Sequence, residues 1–312
     1  MLPKDLLTME NISSEAVADI LERAAYYKKQ TLEGRKFFNA LKGKSVAISF
    51  WEPSTRTRTS FELAVKRLGG EVVDYIPELG SEQKGEALED TISTLISIGI
   101  DGFVFRHKSG GVISEICPEV PIPFISGGEG CFQHPTQALL DIFTLQEEGV
   151  TLNGLYVVMV GDILYSRVAR SHFYALPALG AQLHLVAPPA FLPPELPPPE
   201  IIYTYNLRKA LLKADVIYLL RVQQERQERK ALPSLKEYSL LYGLQPEDIN
   251  LVRKEAFLMH PGPVHMGVEI SREFLQLMHK FRPGKILFQK QVQNGVFVRM
   301  AVLDLFLGRE AS

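Results

Sequence analysis

The sequence predicts an α/β protein of two domains, each a parallel sheet flanked by helices, with a further helix at the C-terminus. Three observations lead there. The chain has 312 residues, more than one hydrophobic core normally holds, since single cores stop growing near ~250–300 residues. Short apolar runs such as SVAISF, GFVFR, LYVVMVGD and QLHLVAP alternate with stretches whose apolar residues recur at helical spacing, the pattern of βαβ units. The composition, 46% apolar and 22% charged, is that of an ordinary globular protein.

Taken in order, Val17, Ile20, Leu21 and Ala24 share one helical face between Ser14 and about Thr31, with Ser13 or Ser14 as the cap and Gly34 as the stop. Ser45–Phe50 reads as a strand, after which Phe61, Ala64, Val65 and Leu68 repeat at helical spacing up to Gly69 and Gly70. EVVDYI is the next strand, followed by a helix from about Glu86 to Ile98, the strands GFVFR and PIPFIS, and a helix from Pro135 to Glu148. A second series opens with LYVVMVGD (Leu155 to Asp162) and continues through QLHLVAP, DVIYLLRV and AFLMHPGP. Seven prolines in the twelve residues from Pro188 to Pro199 exclude a helix interior or a central strand, so that stretch is a surface connection. From about Gln289 to Leu307, Val292, Val296, Leu303 and Phe306 lie among polar residues and predict the last helix. No repeat of solenoid length is present.

Charge and cysteine content narrow the function. A net charge of −2 argues against a nucleic-acid binder, which needs a basic face to neutralise phosphates. Two cysteines, Cys117 and Cys131, with no CxxC pair, predict neither a disulfide framework nor a thiolate zinc site, and fit a reducing compartment. The opening residues lack the pattern of a secretory signal, and no apolar run reaches the ~18 residues of a membrane span. The expectation is a cytoplasmic protein.

One stretch carries chemistry on its face. WEPSTRTRTSFE (Trp51–Glu62) puts two arginines and five hydroxyls into seven consecutive positions at a strand-to-helix junction. A helix N-terminus offers unpaired N–H groups and the positive end of the macrodipole, and an arginine fork meets two oxygens at once, so the cluster predicts a phosphate site. The competing reading is that Ser54 or Thr55 only caps the helix while both arginines are solvated. Gly43-Lys44-Ser45 is no Walker loop, because Phe38 holds the position of the required glycine and a strand follows. No G-x-G-x-x-G follows a strand, so a dinucleotide site has no fingerprint.

EPSTRTRTSFE, then QKGE at Gln83–Glu86, then QHPTQALLDIFT at Gln133–Thr144 resemble, in order and spacing, the carbamoyl-phosphate domain of the transcarbamoylases. GDILYSRVARS (Gly161–Ser171), LLRVQQER (Leu219–Arg226) and MHPGP (Met259–Pro263) resemble the aspartate branch of that family; the ornithine enzymes would show HCLP and an SMG loop, and this chain has neither. The resemblance spans essentially the whole chain. It implies transfer of a carbamoyl group from carbamoyl phosphate to L-aspartate, an early step of pyrimidine synthesis, without a cofactor or metal. It also implies a carbamoyl-phosphate domain over 1–149, an aspartate domain over 150–286, and a helix over 287–312 that packs back on the first.

The same resemblance distributes roles. Ser54, Thr55, Arg56 and Thr57 hold the phosphate; Arg106, His134 and Gln137 surround the carbamoyl group; Gly262 and Pro263, joined by a cis peptide, contact both ligands. Arg167, Arg221 and Gln223 take the aspartate. Lys84, with Ser81, is lent by a neighbouring subunit of a homotrimer with shared active sites. Arg56, Arg106, His134 and Lys84 are thereby the catalytic set. Family members work as bare trimers, join regulatory chains, or associate with dihydroorotase, and the sequence does not choose. His107, His172, His184 and His279 are read as structural. Departures from the family's pattern are His265-Met266 where Asn-Arg is common, Tyr165 in place of a histidine, and Glu129 in place of an aspartate. They leave open a weakly active trimeric scaffold for pyrimidine enzymes, while a transcarbamoylase for another amine rests on the same first domain and is opposed by RVQQER and HPGP.

Overall fold

The computed structural model describes residues 2–75, 87–193, 200–223 and 234–308, and the chain divides into two units, Met1–Phe143 with Val292–Ser312, and Thr144–Gln291. The sequence reading put the divisions at 149/150 and 286/287.

The first unit holds α1 (Ser14–Leu32), β1 (Ser45–Phe50), α2 (Thr55–Arg67), β2 (Glu71–Tyr75), α3 (Leu88–Ile98), β3 (Gly102–Arg106), α4 (Val112–Ile116), β4 (Phe124–Ser126) and most of α5 (Pro135–Glu147). Its sheet is parallel throughout, in the order β2-β1-β3-β4. Five consecutive buried positions in β1 and in β3 mark strands covered on both faces, which explains why these runs are continuously apolar instead of alternating. Ala47, Ile92, Phe103, Phe105, Ile113 and Phe124 form a core cluster in which the Phe103 and Phe124 rings stack with centroids 4.8 Å apart.

The second unit contains β5 (Tyr156–Val160), α6 (Arg167–Ala178), β6 (Gln182–Val186), β7 (Ile202–Thr204), α7 (Leu207–Leu211), β8 (Val216–Leu219), α8 (Leu235–Tyr242), β9 (Phe257–Met259) and α9 (Arg272–Phe281). Its sheet is also parallel, in the order β7-β6-β5-β8-β9. The proline-rich stretch contributes only a short 3₁₀ turn, Pro189–Phe191, among its described residues.

The last helix, α10 (Phe288–Leu307), joins the first unit from Val292 onward. Its attachment there is specific. Asp304 accepts hydrogen bonds from Tyr27 Oη at 2.7 Å and Arg23 Nη1 at 2.9 Å on α1, and Lys28 Nζ donates to Asn294 Oδ1 at 2.8 Å. Gly102 at the start of β3 has no room for a side chain, because an added Cβ would lie 2.3 Å from Leu307 Cδ2. The two parallel sheets, their flanking helices and the returning C-terminal helix agree with the fold class expected from the sequence.

Candidate functional site

Both sheets reverse their winding direction once. In the first unit β1 connects to β2 on one side and β3 lies on the other, so the segments leaving the carboxyl ends of β1 and β3 diverge; the second unit repeats this at β5 and β8. Crevices at such switch points, outside the carboxyl ends of the strands, are where open α/β sheets bind ligands.

At the first switch point Phe50 and Arg106, the last residues of β1 and β3, are register partners. The chain leaves β1 through Trp51–Pro53 and enters α2 at Thr55, with Ser54 as the N-cap in extended conformation. Ser54 makes no side-chain capping hydrogen bond, whereas Ser13, Ser166, Asn206, Ser234 and Ser271 all accept from an N–H at the starts of their helices. The hydroxyl is therefore not used as the cap that the competing reading required. Of the two arginines of the cluster, Arg58 pairs with Glu62 at 3.2 Å and with Asp74 of β2, and Arg56 is exposed at the helix start. Thr55 is exposed and Thr57 is buried.

Arg106 is 7% exposed. Its Nη2 meets Glu52 Oε1 at 2.6 Å, its Nη1 donates to the Gly127 carbonyl at 3.1 Å, and its guanidinium carbon lies 5.8 Å from the Phe50 ring centre. Glu52, unremarked in the sequence reading although it lies in the quoted cluster, thus aims the fork from the loop after β1. His134 is buried immediately before α5, and its carbonyl accepts the N–H of Gln137 at 3.0 Å and of Ala138 at 3.3 Å, starting the helix. Gln137 Nε2 donates to Asp141 Oδ1 at 3.0 Å. A carboxylate offers only acceptors, so the Gln137 amide is turned with its oxygen away from Asp141. Arg299 of α10 supports Asp141 electrostatically; burial lowers the arginine's pKa to about 10 and Asp141 works against that fall.

At the second switch point the two segments approach so closely that an added Cβ on Gly161 would lie 2.7 Å from the Leu220 carbonyl oxygen, and Gly161 has φ 137°, open to glycine. Asp162, fully buried, accepts from Tyr165 N at 3.2 Å and Gln223 N at 3.0 Å, which ties the loop after β5 to the loop after β8. Arg167 opens α6 and is 7% exposed. A cation at a helix N-terminus meets the positive end of the macrodipole, an arrangement that an anion relieves. Arg221 and Gln223 are half-buried just past β8.

The turn after β9 joins them. Gly262–Pro263 is a cis peptide with Gly262 at φ 70°, the geometry the family resemblance implied. Glu269, 1% exposed, accepts from Val222 N at 3.2 Å, His265 N at 2.6 Å and His260 Nε2 at 3.1 Å. The buried Tyr238 phenol is held well above its ordinary pKa by burial first, then by the charges of Glu269 and Asp162. Of the predicted residues, Ser54, Thr55, Arg56, Thr57, Arg106, His134 and Gln137 belong to the first unit, and Arg167, Arg221, Gln223, Gly262 and Pro263 to the second. Ser81 and Lys84 lie outside the described residues. Asp162, His260 and Glu269 were not singled out from the sequence, although the first two stand inside the quoted GDILYSRVARS and MHPGP motifs. Among the described residues no group of three or more His, Cys, Asp or Glu could hold a metal ion, and no helix is long and apolar enough to cross a membrane.

Two parallel sheets with polar clusters at both switch points define the class, and sequence comparison assigns it. Residues 4–147 match the carbamoyl-P binding domain of aspartate/ornithine carbamoyltransferases and residues 153–306 match their Asp/Orn binding domain. The chain belongs to the aspartate/ornithine carbamoyltransferase family. It is 42% identical over 305 residues to the aspartate carbamoyltransferase catalytic subunit of Moorella thermoacetica, covering 98% of this chain and 97% of that one. Aspartate transcarbamoylase from Trypanosoma cruzi, in complex with carbamoyl phosphate, superposes with a TM-score of 0.86 at 28% identity, covering 97% and 96% of the two chains. Ornithine carbamoyltransferase from Pyrococcus furiosus gives the same TM-score and identity over 98% and 97%. The backbone is thus shared between the two substrate branches, and the distinction between them has to come from side chains.

Proposed function

We propose that this protein is an aspartate carbamoyltransferase, transferring the carbamoyl group of carbamoyl phosphate to the amine of L-aspartate to give N-carbamoyl-L-aspartate and phosphate, for pyrimidine synthesis in the cytoplasm. The observation that carries the reading is that Arg167, which opens α6 after β5, and Arg221, just past β8, both stand at the switch point of the second sheet. Aspartate brings two carboxylates to that end; ornithine would bring a distal ammonium to arginines. Relatives named aspartate carbamoyltransferase catalytic subunit, 41–43% identical over 97–98% of the chain, support the same choice.

In this reading the phosphate docks on the α2 N-terminus against Ser54, Thr55, Arg56 and Thr57. Arg106 and His134 face the carbonyl oxygen and Gln137 accepts from the carbamoyl NH2. The amine attacks the carbonyl carbon, a C–N bond forms, and the C–O bond to phosphate breaks. The departing phosphate takes the amine proton on one of its own oxygens, so the transfer is complete without a cofactor. Donors aimed at the carbonyl oxygen stabilise the charge that grows there, each typically worth ~10²–10³ in rate. Gly262 and Pro263 bridge the two ligands, and Ser81 and Lys84 enter from a neighbour in a homotrimer. At the departures Tyr165 and His265 the backbone N–H groups donate to Asp162 and Glu269, bonds that any residue but proline can supply.

The test is turnover of the purified chain with carbamoyl phosphate and a panel of amines. Aspartate should exceed ornithine in kcat/KM by about a hundredfold or more, given the cost of opposing like charges. Equal or better use of ornithine refutes the acceptor, and no turnover with any amine favours the scaffold reading.

A further inference from the structure

We infer that Glu269 is a positioning residue for the acceptor, a buried acceptor-only clasp that sets the Arg221–Gln223 segment and the His260–His265 turn relative to one another. The inference rests on the reading of the Arg221–Gln223 segment as part of the aspartate site and of the turn as a contact to both ligands. Its geometry is independent of that reading. Glu269 lies nine residues beyond His260 in sequence and collects three N–H donors from two separate segments: Val222 N on Oε1, His265 N and His260 Nε2 on Oε2. Val222 stands between Arg221 and Gln223, so its N–H anchors that loop directly to Glu269, beyond the turn after β9.

The hydrogen-bond arithmetic selects a carboxylate. Gly262 N donates to His260 Nδ1 at 2.7 Å, so the ring proton sits on Nε2 and points at Glu269. All three groups facing Glu269 are therefore donors, and only an ionised carboxylate has two acceptor oxygens for them. Glutamine, of equal size, must set its NH2 against Val222 N or against His265 N and His260 Nε2. Tautomer exchange at His260 offers no escape, because Nδ1 already faces the Gly262 N–H. His260 is further fixed by its own N–H donating to Gln291 Oε1 at 3.0 Å. A misplaced donor thus shifts whole backbone segments, and a shift of about 1 Å at a substrate clamp can cost ~10²-fold.

The variants Glu269→Gln and Glu269→Asp are compared with wild type for KM of aspartate, KM of carbamoyl phosphate, kcat and Tm. The structural control is Arg208→Met, which removes the Arg208 pairing to Asp248 elsewhere in the same unit. Glu269→Gln should raise the aspartate KM about tenfold or more, and by more than it raises the carbamoyl phosphate KM through the shared Gly262–Pro263 turn, with Asp, which keeps the charge, falling between Gln and wild type. Arg208→Met should lower Tm without that split. The inference is overturned if both Glu269 variants keep the wild-type aspartate KM, or if Arg208→Met at a matched loss of Tm raises it equally. Should Glu269→Gln not fold, Glu269→Asp decides on the same ratio. Failure of wild type to use aspartate instead refutes the proposed acceptor, and is read before any variant is made.

Discussion

Glu129 shows how a single side chain ties fold to pH. It is 4% exposed, and its Oε2 accepts the Gly111 N–H at 2.9 Å beside the start of α4. Burial raises its pKa above the ordinary 4.5, and the Gly111 and Ile113 N–H groups only partly offset that. A carboxyl whose folded pKa is raised contributes stability below about pH 4.5, where both states are protonated, and this contribution is lost as pH rises through the folded value. Glu129→Gln keeps the shape and cannot ionise. Its Tm relative to wild type should therefore climb between about pH 4 and pH 8; a difference that stays flat with pH would assign the glutamate no desolvation cost. At this scale the sequence was legible only where a residue belonged to a motif. For Arg58 the local partner Glu62 stands four residues on in the sequence, but its second partner, Asp74, is brought in from the neighbouring strand by the β1–β2 register and leaves no local signal. Glu269 was not singled out because its role depends on Val222 N, 47 residues away, as well as on His260 and His265 nearby.

The helix starts make a matched experiment. Ser13 accepts from Ala16 N at 3.2 Å and so spares α1 an orphan donor, whereas Ser54 occupies the same position on α2 without such a bond. Ser13→Ala should cost about 1 kcal/mol of stability and leave kinetics alone. Ser54→Ala should leave the unfolding free energy within about 0.5 kcal/mol and raise the KM for carbamoyl phosphate severalfold. Urea titration and initial rates on the two variants measure both. If Ser54→Ala loses stability as Ser13→Ala does and keeps its KM, the opening cluster is a cap and not a phosphate cradle. The long elements were readable because periodicity accumulates with length: α1 starts at Ser14 as expected, and α10 starts at Phe288, next to the expected Gln289. The α2 start was inferred from the phosphate cluster, ahead of its first apolar repeat at Phe61. Elements of three to five residues, β7, α4 and α7, are too short to show a period and were not marked. The site was partly legible for a different reason. Most of its residues sit at or soon after the carboxyl ends of β1, β3, β5, β8 and β9, where an apolar run stops, whereas His134 and Gln137 lie at the start of α5, well past β4.

Assembly is the level at which the site is completed in the proposed reading, because Lys84 is assigned to a neighbour's pocket. Take two preparations, Arg56→Ala and Lys84→Ala, each nearly inactive and each still trimeric. In a closed cyclic ring every chain lends Lys84 in one direction only. A site whose main pocket comes from a Lys84→Ala chain has an intact Arg56, and it borrows an intact Lys84 when its neighbour is an Arg56→Ala chain. Such a site is equivalent to wild type. With random equal mixing each condition holds half the time, so roughly a quarter of wild-type activity should return. The mixture has to be dissociated and reassembled, and native mass spectrometry should find mixed trimers before the rate is read. Mixed trimers with activity no higher than either parent would place Lys84 in its own chain's site or in none, and would remove the shared site while leaving Arg56 and the α2 N-terminus in place. A native mass of one chain that turns over aspartate at full rate would remove the ring itself.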